Sequence, residues 1–272
     1  MTAAILTRAA SQAGGHYGFR TVARMEWLKL RSVRSTWWTL IVLAAGMIGL
    51  AILVMAHQHW ATMSAADRAS FDPTSNSYAG LVIGQLAIGV LGVLTVTSEF
   101  SSGMIRATLA AVPRRPLVLA AKAAVVAAVT LVAGEILAFA AFVIGEAVLK
   151  SPAPHATLGQ PGVLRAVLMA GAYPALIGLI GVGLGALIRH TAGAISAVVG
   201  VLFVLPLILV PLGTSIQNAA GQFMPMLIAE NSLTAVKPVP HSLSPGLGFA
   251  LLFLYAVAAL AAGGWALARR DA

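Results

Sequence analysis

Few side chains in this 272-residue sequence have both the type and the spacing for chemistry, and context disqualifies most of them. Glu135 and Glu146 stand eleven residues apart in one apolar run, close to three helical turns, and so share a face. A carboxylate at membrane depth is costly, so Glu135 must face protein, a partner or a polar cavity. Two uses are open for it: a polar group in a translocation path or subunit interface, or a protonated acid hydrogen-bonded to a neighbouring helix. Glu146 falls near the outer interface, where it can meet water. His57-Gln58-His59 invites a metal, but histidines at i and i+2 point to different helix faces and no carboxylate has helical spacing to them. His155, His190 and His241 are solitary, and neither His-Glu-x-x-His nor Gly-x-Ser-x-Gly occurs. No metal site and no catalytic residue is expected. Lys150-Ser151 follows Leu149 where a phosphate-binding loop needs Gly, and Gly181-Val182-Gly183-Leu184-Gly185-Ala186 lacks the preceding strand of a dinucleotide fingerprint.

The elements that carry these residues are set by composition. The chain is 59% hydrophobic and 9% charged, with a mean hydropathy of +0.92, too few charges to cover a soluble globule. Six stretches are long and apolar enough to cross a bilayer as helices: Trp37–Ala56, Ala79–Thr97, Leu117–Leu149, Val163–Ile188, Ala192–Gly213 and Leu247–Ala268. These runs are continuous, which excludes a barrel of alternating strands. The fold class read from the sequence is an all-α integral membrane protein of six transmembrane helices. The first run follows about 35 residues and has no clear cleavage site, so it reads as an anchor and not a signal peptide. Zero cysteines excludes disulfides, thiolate metal sites and thiol chemistry.

The net charge of +9 is a topology signal. With six spans and both termini on one side, thirteen of the 17 Lys and Arg residues fall on that side. Only Arg68, Lys150, Arg165 and Lys237 fall on the other. The positive-inside rule then makes both termini cytoplasmic, in a multi-pass protein of the cell membrane. The basic flanks meet anionic lipid, and no nucleic-acid partner is expected. Trp27, Trp37, Trp38, Trp60 and Trp265 lie at span ends, where indoles suit the headgroup belt.

Between the spans, Met1–Phe19 reads as a flexible tail. From Arg20 to Ser35, the residues Arg20, Arg24, Trp27, Arg31 and Arg34 share one helical face, a basic stripe expected to lie along the membrane surface. The same charges also set topology, and the two readings are compatible. Ser98 to Arg115 reads as a short amphipathic cytoplasmic helix. Phe100, Met104, Thr108 and Ala111 lie on one face, and Glu99, Ser102 and Arg106 on another; Ser98 is the N-cap and Pro113 the stop. Such a helix can dock in the groove of a soluble partner, or serve only as a solvated connector with a Glu99–Arg106 pair. Phe223-Met224-Pro225-Met226-Leu227-Ile228-Ala229 is strongly apolar but too short to span, and is expected to dip back into the outer leaflet. A folded loop packing its own apolar residues is the alternative. Gly80-x-x-x-Gly84 and Gly178, Gly181, Gly183 and Gly185 permit close helix packing, and Pro174, Pro206 and Pro211 should kink their spans.

At three places the sequence resembles the permease subunits of type-two ABC exporters, in their compact six-span form. These are Glu26-Trp27-Leu28-Lys29-Leu30-Arg31-Ser32-Val33-Arg34-Ser35-Thr36-Trp37-Trp38, Thr97-Ser98-Glu99-Phe100-Ser101-Ser102-Gly103-Met104-Ile105-Arg106-Ala107-Thr108-Leu109 through Pro113-Arg114-Arg115, and the closing Arg269-Arg270-Asp271-Ala272. The resemblance implies that the first segment is an interfacial elbow helix. It makes the loop with Glu99, Phe100, Ser102, Gly103, Met104, Ile105, Arg106 and Leu109 a coupling helix seated on an ATP-binding subunit. It also implies re-entrant helices between the last two spans. The implied partners are that ATP-binding subunit, which would carry ATP and Mg, and a second permease copy or paralogue. The longest non-spanning segment, about 35 residues, is too short for a nucleotide-binding domain, so the chain itself is not expected to be an enzyme. The function read from the sequence is export of a hydrophobic or amphipathic substrate. Two rivals stand: a proton- or ion-coupled secondary transporter using Glu135, and a noncatalytic membrane scaffold.

Overall fold

The computed structural model describes residues 18–235 and 242–270. The expectations for most of the N-terminal tail, for Lys237 and His241, and for Asp271 and Ala272 lie outside the described residues. Among those described the structure is all-helical, with ten principal helices: α1 Phe19–Ser32, α2 Arg34–Ala56, α3 Leu81–Ser101, α4 Met104–Ala111, α5 Arg115–Val148, α6 Val163–Ile188, α7 Thr191–Leu212, α8 Thr214–Gly221, α9 Pro225–Leu233 and α10 Pro245–Arg269. Six of these, α2, α3, α5, α6, α7 and α10, are long and apolar enough to cross a membrane. At 34 residues α5 is about 51 Å long, well beyond the roughly 30 Å of bilayer hydrocarbon, so it tilts or projects.

Helix α6 is the axis of the bundle. It packs against α3, α5, α7 and α10, while α2 closes the far side of α3 and α5. Its most apolar stretch is 67% buried, against 17% for α7. Small residues allow this crowding. A Cβ added at Gly92 of α3 would collide with the carbonyl oxygen of Gly178, and one added at Gly181 with the carbonyl oxygen of Gly89. The two backbones therefore touch without intervening side chains, as helix association in lipid favours. Outward, Ile41, Val42 and Leu53 of α2, Val132, Ile136 and Val143 of α5, and Val204, Leu207 and Ile208 of α7 are exposed. A contiguous apolar surface of this kind suits hydrocarbon and not water.

Local irregularities follow from single residues. In α7, Pro206 has no N–H to return to Leu202, and the helix answers with a π turn over Gly200–Val204 just before it and a 3-10 turn at Val210–Leu212, which contains Pro211. Pro174 sits inside the continuous helix α6. The basic segment expected as one helix through Ser35 is instead broken. Val33 is extended (φ −88°, ψ 125°), α1 ends at Ser32 and Arg34 opens α2. The indole N–H of Trp37 donates to the Arg31 carbonyl at 3.1 Å, satisfying a terminal acceptor of α1 and fixing the bend.

The Gly-mediated seam gives a direct test. Gly92→Val should force α3 from α6, cost at least the ~1–3 kcal/mol typical of overpacking, and lower the unfolding temperature in detergent. Gly49→Val, where an added Cβ meets nothing, should leave that temperature unchanged.

Candidate functional site

The sequence places a basic stripe on α1, and Arg20, Arg24, Trp27, Arg31 and Arg34 are all exposed. The opposite face of α1 holds the buried Val22, Glu26 and Leu30. Val22 packs with Val112, Val118 and Ala121, seating α1 on the base of α5 beside the end of α4. The charge on this inward face is what sequence reasoning missed. Glu26 is 3% exposed and bridges two ammoniums: Lys29 Nζ at 2.9 Å from one carboxylate oxygen and Lys122 Nζ at 2.5 Å from the other.

The same two lysines converge on Glu99. Lys29 Nζ lies 2.9 Å and Lys122 Nζ 2.7 Å from its Oε1, while Oε2 accepts from the Thr108 hydroxyl at 3.3 Å. Lys29 also reaches Thr108 Oγ1 at 3.3 Å. Two carboxylates and two ammoniums thus form a closed, charge-neutral cluster drawn from α1, α3 and α5, and Thr108 ties α4 to it. Burial alone would lower the Lys29 pKa, but hydrogen bonds and charge from Glu99 and Glu26 outweigh it and hold the ammonium above the usual lysine value. The stability this linkage supplies is complete below the ordinary lysine pKa and is lost only as pH rises through the raised one, so Lys29 stays charged throughout the physiological range.

The helix expected from Ser98 to Val112 does not exist as one element. Ser98 and Glu99 belong to the last turn of α3, and Ser98 caps no helix start. Glu99 therefore sits near the negative end of a helix dipole, a cost offset by its two ammonium partners. The break comes at Gly103, whose φ of +72° is left-handed, the conformation glycine adopts at helix ends. Ser102 returns both its N–H (3.1 Å) and its hydroxyl (2.7 Å) to the Ser98 carbonyl. The Glu99–Arg106 pair of the alternative connector reading does not form: Glu99 is turned inward to lysines, and Arg106 is exposed on α4. Ile105 and Thr108 are the buried residues of α4, Leu109 is half-buried, and Ser102, Gly103 and Met104 are exposed. Phe100 is half-buried with the Arg189 guanidinium 5.1 Å from its ring centre. Arg189 and Arg115 also donate to the last carbonyls of α10, Ala266 (2.7 Å) and Leu267 (2.9 Å), fastening its C-terminal end to this end of the bundle.

The other predicted residues lie elsewhere. Glu135 is half-buried against Gly171 of α6, and its Oε2 is buried without a hydrogen-bond partner, so the acid does not hydrogen-bond to its neighbouring helix through that atom. Glu146 accepts from the Ala156 N–H at 3.1 Å and contacts the His155 ring at 3.1 Å. Of the outer segment, Met224 precedes α9 and Pro225 opens it, Met226 is half-buried, and Phe223 is exposed with its carbonyl accepting from the Tyr255 hydroxyl at 3.1 Å.

One signal for the missed cluster was in the sequence. Lys122 stands inside the apolar run Leu117–Leu149, and an ionisable residue there demands a named partner. Glu26 and Lys29 fall off the Arg–Trp stripe and so had to face something else.

Removing one member strands the opposite charge. Lys122→Met should destabilise the fold by about 3–5 kcal/mol, whereas Arg106→Ala should stay within about 0.5 kcal/mol, both read from thermal unfolding of the purified chain.

A search of curated proteins returns no match to this chain. A family model described as "ABC-2 family transporter protein" matches residues 22–206, a span that opens in α1 and contains the whole charge cluster. With six apolar helices and this match over more than half its length, the chain belongs to the ABC-2 family of transporter membrane proteins.

Proposed function

We propose that this chain is the permease subunit of an ATP-driven exporter and that α4, Met104–Ala111, is its coupling helix. The family in general works with an ATP-binding partner subunit. The observation that carries the reading is the cluster of Glu26, Lys29, Glu99 and Lys122. Ile105 and Thr108 fasten α4 inward, and the outer face with Met104, Arg106 and Ala107 stays open to a partner. A push on that face passes through Thr108 and Glu99 to α3, and through the two lysines to α1 and α5. These elements would move as one body because none can shift without exposing an uncompensated buried charge.

In this reading two copies, or this chain and a paralogue, pair in the cell membrane with both termini cytoplasmic, placing α4 on the side where ATP is. Closure of the ATP-binding subunits favours the arrangement in which their docking faces are close, and the permease follows by population shift. The cargo is hydrophobic or amphipathic, in keeping with walls of Ala, Leu, Val and Phe. ATP and Mg belong to the partner.

The secondary-transporter reading keeps one observation in its favour, the unpartnered buried oxygen of Glu135. The two separate experimentally. Tagged chain expressed in its native cell should co-purify with a subunit identified by mass spectrometry as an ATP-binding ABC protein. Ala107→Trp on the exposed face should cut that recovery about tenfold, a loss of about 1.4 kcal/mol. Glu135→Gln should leave ATP-driven export in reconstituted vesicles intact. A chain that transports without ATP, and stops on Glu135→Gln, is a secondary transporter instead.

A further inference from the structure

Beside the charge cluster lies a cavity of about 320 Å³, at the lower end of the range for small-molecule sites. Its walls are apolar: Val33 at the α1–α2 bend, Leu91 and Leu94 of α3, Val125 and Val126 of α5, and Met104 of α4. Val33, Ser98 and Met104 are its exposed members, so the mouth opens where α1, α3 and α4 meet at this end of the bundle. From Glu99 back to Leu91 the cavity follows α3 for eight residues, about 12 Å at 1.5 Å each, the reach of a hydrocarbon chain and not of a compact polar solute.

The polar end of the cavity is neutral in sum but offers a hydrogen-bond donor. Glu26, Lys29, Glu99 and Lys122 all border it. The carboxylates of Glu26 and Glu99 are each bridged by both ammoniums, and all three protons of Lys29 are engaged by Glu26, Glu99 and Thr108. Lys122 donates to Glu26 and Glu99, leaving the third donor of its ammonium. The hydroxyls of Thr95 and Ser98, also in the lining, are spent on the carbonyls of Gly92 (2.7 Å) and Leu94 (2.6 Å). What remains to be met is a buried N–H donor needing an acceptor, with the exposed Arg31 and Arg34 flanking Val33 in the chain at the mouth.

We propose that this cavity binds an acidic amphiphile, with its alkyl chain along Leu91, Leu94, Val125 and Val126 and its anionic head accepting from Lys122. The shared chemistry is a phosphate or carboxylate on a long chain, supplied either by a bilayer phospholipid or by a free single-chain acid. Because the head shares Lys122 with the cluster that joins α1, α3 and α5, occupancy bears on how firmly those helices are held together. Binding here does not depend on an ATP-binding partner.

The test uses the purified full chain alone, in phosphatidylcholine vesicles, with two photo-reactive probes: diazirine-bearing palmitic acid and phosphatidylglycerol with a diazirine on one acyl chain. The expected result is labelling by at least one probe, concentrated on peptides containing Leu91–Leu94 and Val125–Val126. Unlabelled palmitate should compete and hexadecyltrimethylammonium should not. Leu94→Trp and, separately, Val125→Trp, which fill the cavity, should each cut labelling about tenfold, equivalent to about 1.4 kcal/mol, in variants that elute as the parent does in gel filtration. Labelling by phosphatidylglycerol alone identifies a resident lipid, and labelling by palmitate alone a free amphiphile; both support the site. Labelling spread along the lipid-facing sides of α2 and α7, indifferent to both substitutions or equally competed by the cation, overturns it. Neither outcome touches the coupling role of α4, which is read by recovery of the ATP-binding subunit.

Discussion

The interaction on which the rest of this structure depends is the neutral quartet of Glu26, Lys29, Glu99 and Lys122. Placing four charges near the edge of a bilayer is expensive, and apolar residues of similar size could have filled the same space at little or no cost in stability. What the quartet supplies is exclusivity of position. An apolar contact between α1 and α5 would tolerate sliding by a fraction of a turn, whereas each carboxylate here is bound through two ammoniums and loses both bonds when displaced. The geometry of the bundle end, where α1, the short α4 and two spans converge, is therefore specified by charge pairing and merely padded by Val22, Val112 and Val118.

The contrast with the bundle interior is informative. There α3 and α6 approach until the carbonyls of Gly178 and Gly89 occupy the places of absent side chains, and Tyr173 meets Gln85 at 2.5 Å as an isolated polar link. Close van der Waals packing fixes the centre and electrostatics fixes one end, while α7, with its π turn, joins the core through Ala194, Val198 and Leu202 and leaves most of its surface exposed. The molecule thus grades from a closely packed axis to an exposed edge.

Much of this was legible in the sequence. Continuous apolar runs marked the six spans, because in hydrocarbon only helices and closed barrels satisfy the backbone and barrel strands would alternate. The Arg–Trp periodicity marked the outer face of α1, because a 3.6-residue repeat survives any tertiary context. The failures share one cause. A local helix face sets Glu99 beside Arg106, but Glu99 answers to Lys29 seventy residues before it and Lys122 twenty-three after it, contacts no local period encodes. The division at Gly103 was missed for a related reason: Glu99-Phe100-Ser101-Ser102 continues a helical pattern on both sides, and only the positive φ of one glycine breaks it.

The sequence separation within the quartet has a consequence for how the chain is made. Helix α1 precedes α3, α4 and α5 in the chain, and Glu26 cannot find Lys122 until 96 further residues have been synthesised and α5 has entered the bilayer. Until then Glu26 has only Lys29 of its own helix to balance it, and Lys29 in turn waits for Glu99 of α3. Of the four elements that the quartet and Thr108 join, α1 is thus the first to be synthesised and the last to be seated, a latch that closes only when the three later ones are in place.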